Sequence, residues 1–121
     1  MKPEELLDKI AKTSGGAMTK ADLINFINAE IASGAQVMQQ DNTLIVFKST
    51  EKTTVMFYLF SLDDVNRIGE ILTTVFDIFK QMQYEIAETH YDVPALNRMY
   101  MDGGAEVTQD PEGGFRAKVR L

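Results

Sequence analysis

Val65, Ile68, Leu72, Val75, Phe79 and Met82 recur at alternating steps of three and four residues, which predicts a helix from about Asp64 to Met82. Ile71, Phe76 and Ile78 broaden the apolar stripe, so this helix needs a sheet to cover it. Phe76 and Phe79 are both expected in the core. β-rich runs stand on either side of the helix. Val55-Met56-Phe57-Tyr58-Leu59-Phe60 is apolar on both faces, as a central strand would be, and Tyr84 to Tyr91 reads as a second strand. A strand, a long helix and a strand in that order predict a right-handed crossover with the two strands parallel.

The remaining segments are shorter. Pro3 suits the first turn of a helix, where its missing N–H costs nothing. Leu6, Leu7 and Ile10 give that helix a small apolar face, and Thr13-Ser14-Gly15-Gly16 ends it. Thr19 and Asp22 resemble a capping box for a second helix with a stripe of Leu23, Ile24, Phe26, Ile27 and Ile31, closed by Ser33-Gly34. Gln36 to Gln40 is a polar strand, Asp41-Asn42 a tight turn, and Leu44 to Lys48 another strand, with Ser49 to Lys52 turning the chain again. A short helix spans about Val93 to Asp102 and stops at Gly103-Gly104. Ala105 to Gln109 and Phe115 to Arg120 then flank Asp110-Pro111-Glu112-Gly113-Gly114, a hairpin turn.

Composition narrows the function classes. The 121 residues suffice for one domain with a single core. A net charge of −6 with no Lys/Arg cluster speaks against a nucleic-acid partner. Without cysteine there is no disulfide framework and no thiolate metal site, and the lone His90 with no close carboxylate cluster predicts no metal. The start, Met1-Lys2-Pro3-Glu4-Glu5, is not a signal peptide, and no apolar run approaches membrane-spanning length. An intracellular, cytoplasmic location is the default expectation.

The phrase Asn97-Arg98-Met99-Tyr100-Met101-Asp102-Gly103-Gly104-Ala105 places a tyrosine four residues before a helix-ending glycine. With the element order α-α-β-β-β-α-β-α-β-β, it resembles the GNAT acyltransferase superfamily without that family's first strand. The resemblance runs from about Ala17 to Leu121. Met99-Tyr100 matches the family's Leu-Tyr pair and Gly104 its glycine, while Val93 stands where asparagine is usual. The resemblance implies an α+β domain over 1–121: a mixed central sheet with helices on both faces, and residues 1–16 as an N-terminal helix and turn. It also implies that Tyr100 protonates the departing thiolate of coenzyme A, a task that suits a phenol. The other reading of Tyr100 is a ring packed on the sheet with its hydroxyl near the surface.

The same resemblance implies a Gly-rich loop before the long helix, whose free N–H groups hold the cofactor's pyrophosphate. Here the segment reads Ser61-Leu62-Asp63-Asp64-Val65-Asn66-Arg67-Ile68-Gly69, and only Arg67 and Gly69 correspond to the loop. A helix N-terminus favours an anion by about 0.3–1 kcal/mol. One carboxylate about 5 Å from a phosphate opposes it by roughly 1–3 kcal/mol. Asp63 and Asp64 can therefore cancel the site, and Ser61-x-x-Asp64 reads as a capping box that occupies its donors.

Alternation along the strand sets His90 on the face of Glu88 and Ile86, so Glu88 and His90 are candidate bases for an acceptor amine. Two functions follow. One is a degenerate, non-catalytic accessory or binding module with no cofactor. Small phage-encoded proteins of the superfamily are similar, short with an eroded loop, which implies host cytoplasm or virion and a protein partner or second copy. The other is an active N-acyltransferase using acetyl-CoA or another acyl-CoA on a small-molecule or protein amine.

Overall fold

Local signals start most of the elements. The structure, a computed structural model, describes residues 2–121, so Met1 of the expected N-terminal segment lies outside the described residues. Pro3 stands at the first position of α1 (Pro3–Thr13), and Thr19 and Asp22 form a reciprocal capping box at the start of α2 (Lys20–Ala32). The strands β1 (Gln36–Gln40), β2 (Thr43–Glu51) and β3 (Thr54–Ser61) follow, then α3 (Val65–Gln81), β4 (Ile86–Tyr91), α4 (Ala95–Asp102), β5 (Glu106–Gln109) and β6 (Phe115–Arg120). This is the expected order of elements. The fold is α+β, and six strands form one mixed sheet in the order β1-β2-β3-β4-β6-β5.

The contacts divide into two units. The first holds residues 2–47 and 59–63. Asp41, at φ +50°, makes the turn that pairs β1 antiparallel with β2. Leu6, Leu7 and Ala11 of α1, Leu23 and Ile27 of α2, and Leu44 to Phe47 of β2 form its core. Phe26 meets Phe60 edge-on at 5.8 Å. Ile31 departs from the expected stripe and is 48% exposed. It lies on the last turn of α2, where the helix ends and the chain leaves through Gly34. The turn expected over Ser49 to Lys52 is also later and tighter: β2 continues to Glu51, and only Lys52 and Thr53 lie between the strands.

The second unit holds residues 48–58 and 64–121. Here β3 pairs with β4 in parallel, Val55 opposite Ala87 and Phe57 opposite Thr89, so α3 is the crossover expected. Antiparallel β6 borders β4, setting Thr89 opposite Ala117 and Tyr91 opposite Phe115. One face of this sheet therefore carries Val55, Phe57, Ala87, Thr89, Tyr91, Ala117 and Val119. Phe57 meets Phe76 at 5.7 Å and Phe79 at 6.1 Å. Ile68, Ile71, Leu72, Val75 and Phe79 are buried, whereas Val65 and Met82, at the ends of the stripe, are exposed. Phe79 is fully buried, but Phe76 is only half-buried, because it borders the gap between α3 and α4.

Among the described residues six glycines have positive φ, and two of them lie beside the site. Gly104, at φ +89°, follows α4 in the left-handed conformation, and Ala105 N–H bonds back to Tyr100 O at 2.9 Å. Gly114, at φ +75°, lies so close to β4 that a Cβ would stand 2.9 Å from Tyr91 O. Gly69 is different. It sits inside α3, and a Cβ there would make ordinary contact with Met99 Cγ at 3.7 Å. Gly69→Ala is therefore expected to stabilise the fold by about 0.5–1 kcal/mol, measured by urea denaturation. A destabilised variant would show that α3 and α4 have no room for a methyl group.

Candidate functional site

The site that the resemblance singles out begins at the start of α3. Asp64 is the N-cap, and its carboxylate accepts the Arg67 N–H at 2.8 Å. One donor of the first turn is thus taken by the chain itself. The expected Ser61-x-x-Asp64 box does not form, because the helix starts at Val65 and Ser61 still belongs to β3. Instead the Ser61 hydroxyl accepts the Asp63 N–H at 3.0 Å and bonds the Thr43 hydroxyl at 2.5 Å. The Asp63 carboxylate accepts from Thr43 at 2.7 Å and from the Asn42 N–H at 3.1 Å. Thr43 donates to Asp63, so its oxygen accepts the Ser61 proton. Asp63 therefore serves the turn between β1 and β2.

Arg67 directs Nη1 to Glu70 Oε2 at 2.8 Å, one helical turn along. Gly69 lies beyond the first turn of α3 rather than in a loop, and its carbonyl accepts the Thr73 hydroxyl at 3.1 Å.

Tyr100 comes to its place because α4 lies over the face of β4 that carries Thr89 and Tyr91. Its ring stands 5.0 Å from that of Tyr91, whose other side stacks on Phe115 at 5.7 Å. The Tyr91 hydroxyl donates to Asn97 Oδ1 at 2.7 Å. Only 3% of Tyr100 is exposed. Its hydroxyl does not reach the surface as the structural reading expected; it hydrogen-bonds Thr89, itself buried. Burial pushes the Tyr100 phenol well above its usual range, nearby Tyr91 adds to the rise, and the Thr89 bond offsets part of it. Burial also raises the Tyr91 phenol.

Glu88 and His90 point to the opposite face of β4, since strand side chains alternate. Each has its own partner, Lys118 on the adjoining strand β6 for Glu88 and Asp110 in the hairpin turn for His90. Lys118 Nζ is 3.5 Å from Glu88 Oε1, and Asp110 Oδ2 is 3.5 Å from His90 Nδ1. Arg116 Nη2 stands 4.0 Å from the same Asp110 oxygen. Asp110 also anchors its own turn by accepting the Glu112 N–H at 3.0 Å. The strand thus separates the candidate acid, Tyr100, from the candidate bases. No group of three or more potential metal ligands occurs among the described residues, and no described helix is long and apolar enough to cross a membrane.

Three features escaped sequence reasoning: Thr89 as the partner of Tyr100, Asp110 as the partner of His90, and a cavity between α3 and α4. Thr89 had a usable signal, because its place in the alternation of β4 sets it on the face that α4 covers.

No protein-family model matches the sequence, and no curated protein matches it. Solved structures do resemble it. A ribosomal-protein-alanine N-acetyltransferase from Brucella melitensis superposes with a TM-score of 0.64 at 7% identity, over 99% of this chain and 97% of that one. A proposed acetyltransferase from Salmonella typhimurium, solved with its cofactor acetyl-CoA, gives 0.64 at 12% identity, over 98% and 86%. A proposed GNAT-family acetyltransferase from Desulfovibrio desulfuricans also gives 0.64 at 12% identity, over 98% and 92%. These likenesses show the fold: the chain has the architecture of the GNAT acetyltransferases.

Proposed function

We propose that this chain is a binding or accessory module that keeps the GNAT fold without its acyl-transfer chemistry. The observation that carries this reading is the start of α3, where Asp64 spends its carboxylate on the Arg67 N–H. A phosphate arriving there meets a fixed negative charge where the helix would otherwise offer a donor. The burial of Tyr100 beside Thr89 supports the same reading, as does the strand between it and Glu88 and His90. A module of this kind works through a protein partner or a second copy of itself, with neither nucleic acid nor membrane involved. The departure of the Ser61 to Gly69 segment from the family's loop fits an accessory or virion role in a phage, inside a host cell.

Isothermal titration of the protein with acetyl-CoA tests the reading. No binding is expected up to millimolar ligand, and a micromolar Kd would overturn it. The alternative, an acyl-CoA-dependent N-acyltransferase acting on a small-molecule or protein amine, draws on the likeness to a structure holding acetyl-CoA and on the place of Tyr100 in α4. Were acetyl-CoA bound and turned over, Tyr100→Phe would lower kcat and leave binding nearly unchanged.

A further inference from the structure

In a chain that is 25% charged, the two longest stretches without Asp, Glu, Lys or Arg are Thr53 to Leu62 and Ile31 to Gln40. The first holds β3, a strand with a neighbour on each side, where apolar residues are needed on both faces. The second holds β1, which stands at the end of the sheet and, among the described residues, pairs with β2 alone. We propose that β1 is a self-association strand, which pairs antiparallel with β1 of a second copy of this chain across a two-fold axis at Val37.

An open sheet edge invites a further strand, and native proteins blunt such edges with lysine, proline, a bulge or extreme shortness. β1 has none of the first three. Gln36 to Gln40 contains no charge and no proline, and its register runs residue for residue from Gln36 opposite Phe47 to Gln40 opposite Thr43. β5, at the other end of the sheet, is blunted: it has four residues, carries Glu106 and runs into Asp110-Pro111. Val37 is 40% exposed, and Ile31, where the uncharged stretch begins at the end of α2, is 48% exposed. Burial within one copy therefore does not account for the lack of charge.

Geometry and charge select a second copy as the occupant. Gln40 and Thr43 flank the two-residue turn at Asp41-Asn42 and form its closing hydrogen-bonded pair. Alternation then directs the N–H and C=O of Val37 away from β2. About a two-fold axis at this residue, Val37 meets Val37 of the second copy, and each N–H donates to the opposite C=O. The two side chains fall on one face, a contact that suits a β-branched residue. A charge at the axis would meet its own like charge, so a strand that pairs with itself must be uncharged there. Each copy carries a net charge of −6, and two copies approach best where neither presents charge. The pair uses β1 of both copies, so growth stops at the dimer. A five-residue strand is small beside a standard interface, which makes the association weak and reversible. The pairing stands whether or not acetyl-CoA binds, so that titration and the test below fail separately.

Sedimentation equilibrium of the full chain, from micromolar to millimolar concentration, tests the proposal. A reversible monomer–dimer equilibrium is expected, with no larger species. Hydrogen exchange at the Val37 amide, followed by NMR, should slow as the dimer forms. Val37→Lys sets two like charges face to face at the axis and should weaken association at least about tenfold while keeping the native circular dichroism. Gln109→Lys, an equal change of charge on exposed β5, should associate as the wild type does. Should Val37→Lys fail to fold, the exchange at Val37 decides. A monomer throughout the range, growth beyond the dimer, a Val37 amide indifferent to concentration, a folded Val37→Lys variant that associates unchanged, or dissociation by Gln109→Lys instead would each overturn the proposal.

Discussion

Phe79→Ala is expected to destabilise the protein by about 3–5 kcal/mol, the largest effect of any single change considered. The residue has no exposed surface and lies at the centre of an aromatic cluster. Phe57 stands 6.1 Å away, Phe76 6.3 Å and Tyr84 6.2 Å, the last edge-on. Truncation removes the buried ring and those three ring contacts and leaves a void that rigid strands cannot close. Domains of this size have only about 5–15 kcal/mol of stability in total. The melting temperature should therefore fall by on the order of 10–20 °C in calorimetry. Phe76→Ala should cost clearly less, because Phe76 is half-buried at a cavity wall. A loss below about 1 kcal/mol for Phe79→Ala would remove this residue from the core and with it the account of how α3 is held.

The second effect is a loss of stability in alkali. Burial, then the nearby Tyr91, raises the Tyr100 phenol above its ordinary value. The native state therefore keeps a proton that the unfolded chain releases near pH 10. Between those two values the unfolded state binds fewer protons, so stability is full below about pH 10 and declines as pH rises toward the native pKa. The slope for one such group is about 1.4 kcal/mol per pH unit. Tyr91 shifts in the same direction through its own burial and adds to the decline. Urea denaturation at intervals from pH 8 to pH 12 should show the fall, and Tyr100→Phe should flatten most of it. An unchanged slope in that variant would mean that Tyr100 ionises freely and its hydroxyl is not enclosed.

Much of the architecture was legible because the forces that set it are local or periodic. The stripe from Ile68 to Phe79 marked α3 to within about a residue at each end, and its breadth called for a sheet. The parallel pairing of β3 with β4 followed from handedness and connection length. Thr19 and Asp22 capped α2 as their spacing suggested, and Asp41 turned the chain with positive φ. At Ser61 the reading failed because a neighbour remote in sequence decided. Ser61 and Asp64 have the spacing of a capping box, but β3 keeps Ser61, and Thr43 takes its hydroxyl. Ile31 fits the stripe of α2 yet lies at the helix end, where little covers it.

The candidate site shows the same division more sharply. The family resemblance named Tyr100 as an acid, residue types named Glu88 and His90 as bases, and alternation put the latter two on one face. Which hydroxyl Tyr100 meets, which carboxylate stands by His90, and on which sides of β4 these groups end are consequences of packing α4 on the sheet and closing the hairpin through Gly114. By itself the sequence determined the elements, their order and the parallel crossover, since hydrophobic periodicity, capping and chain handedness act within a few residues or along one connection. Only the tertiary structure decided that Asp63 and Asp64 serve different partners, that the Tyr100 hydroxyl is enclosed and that α3 and α4 leave a cavity beside Gly69. Those outcomes depend on distances between segments far apart in the chain, which no local pattern specifies.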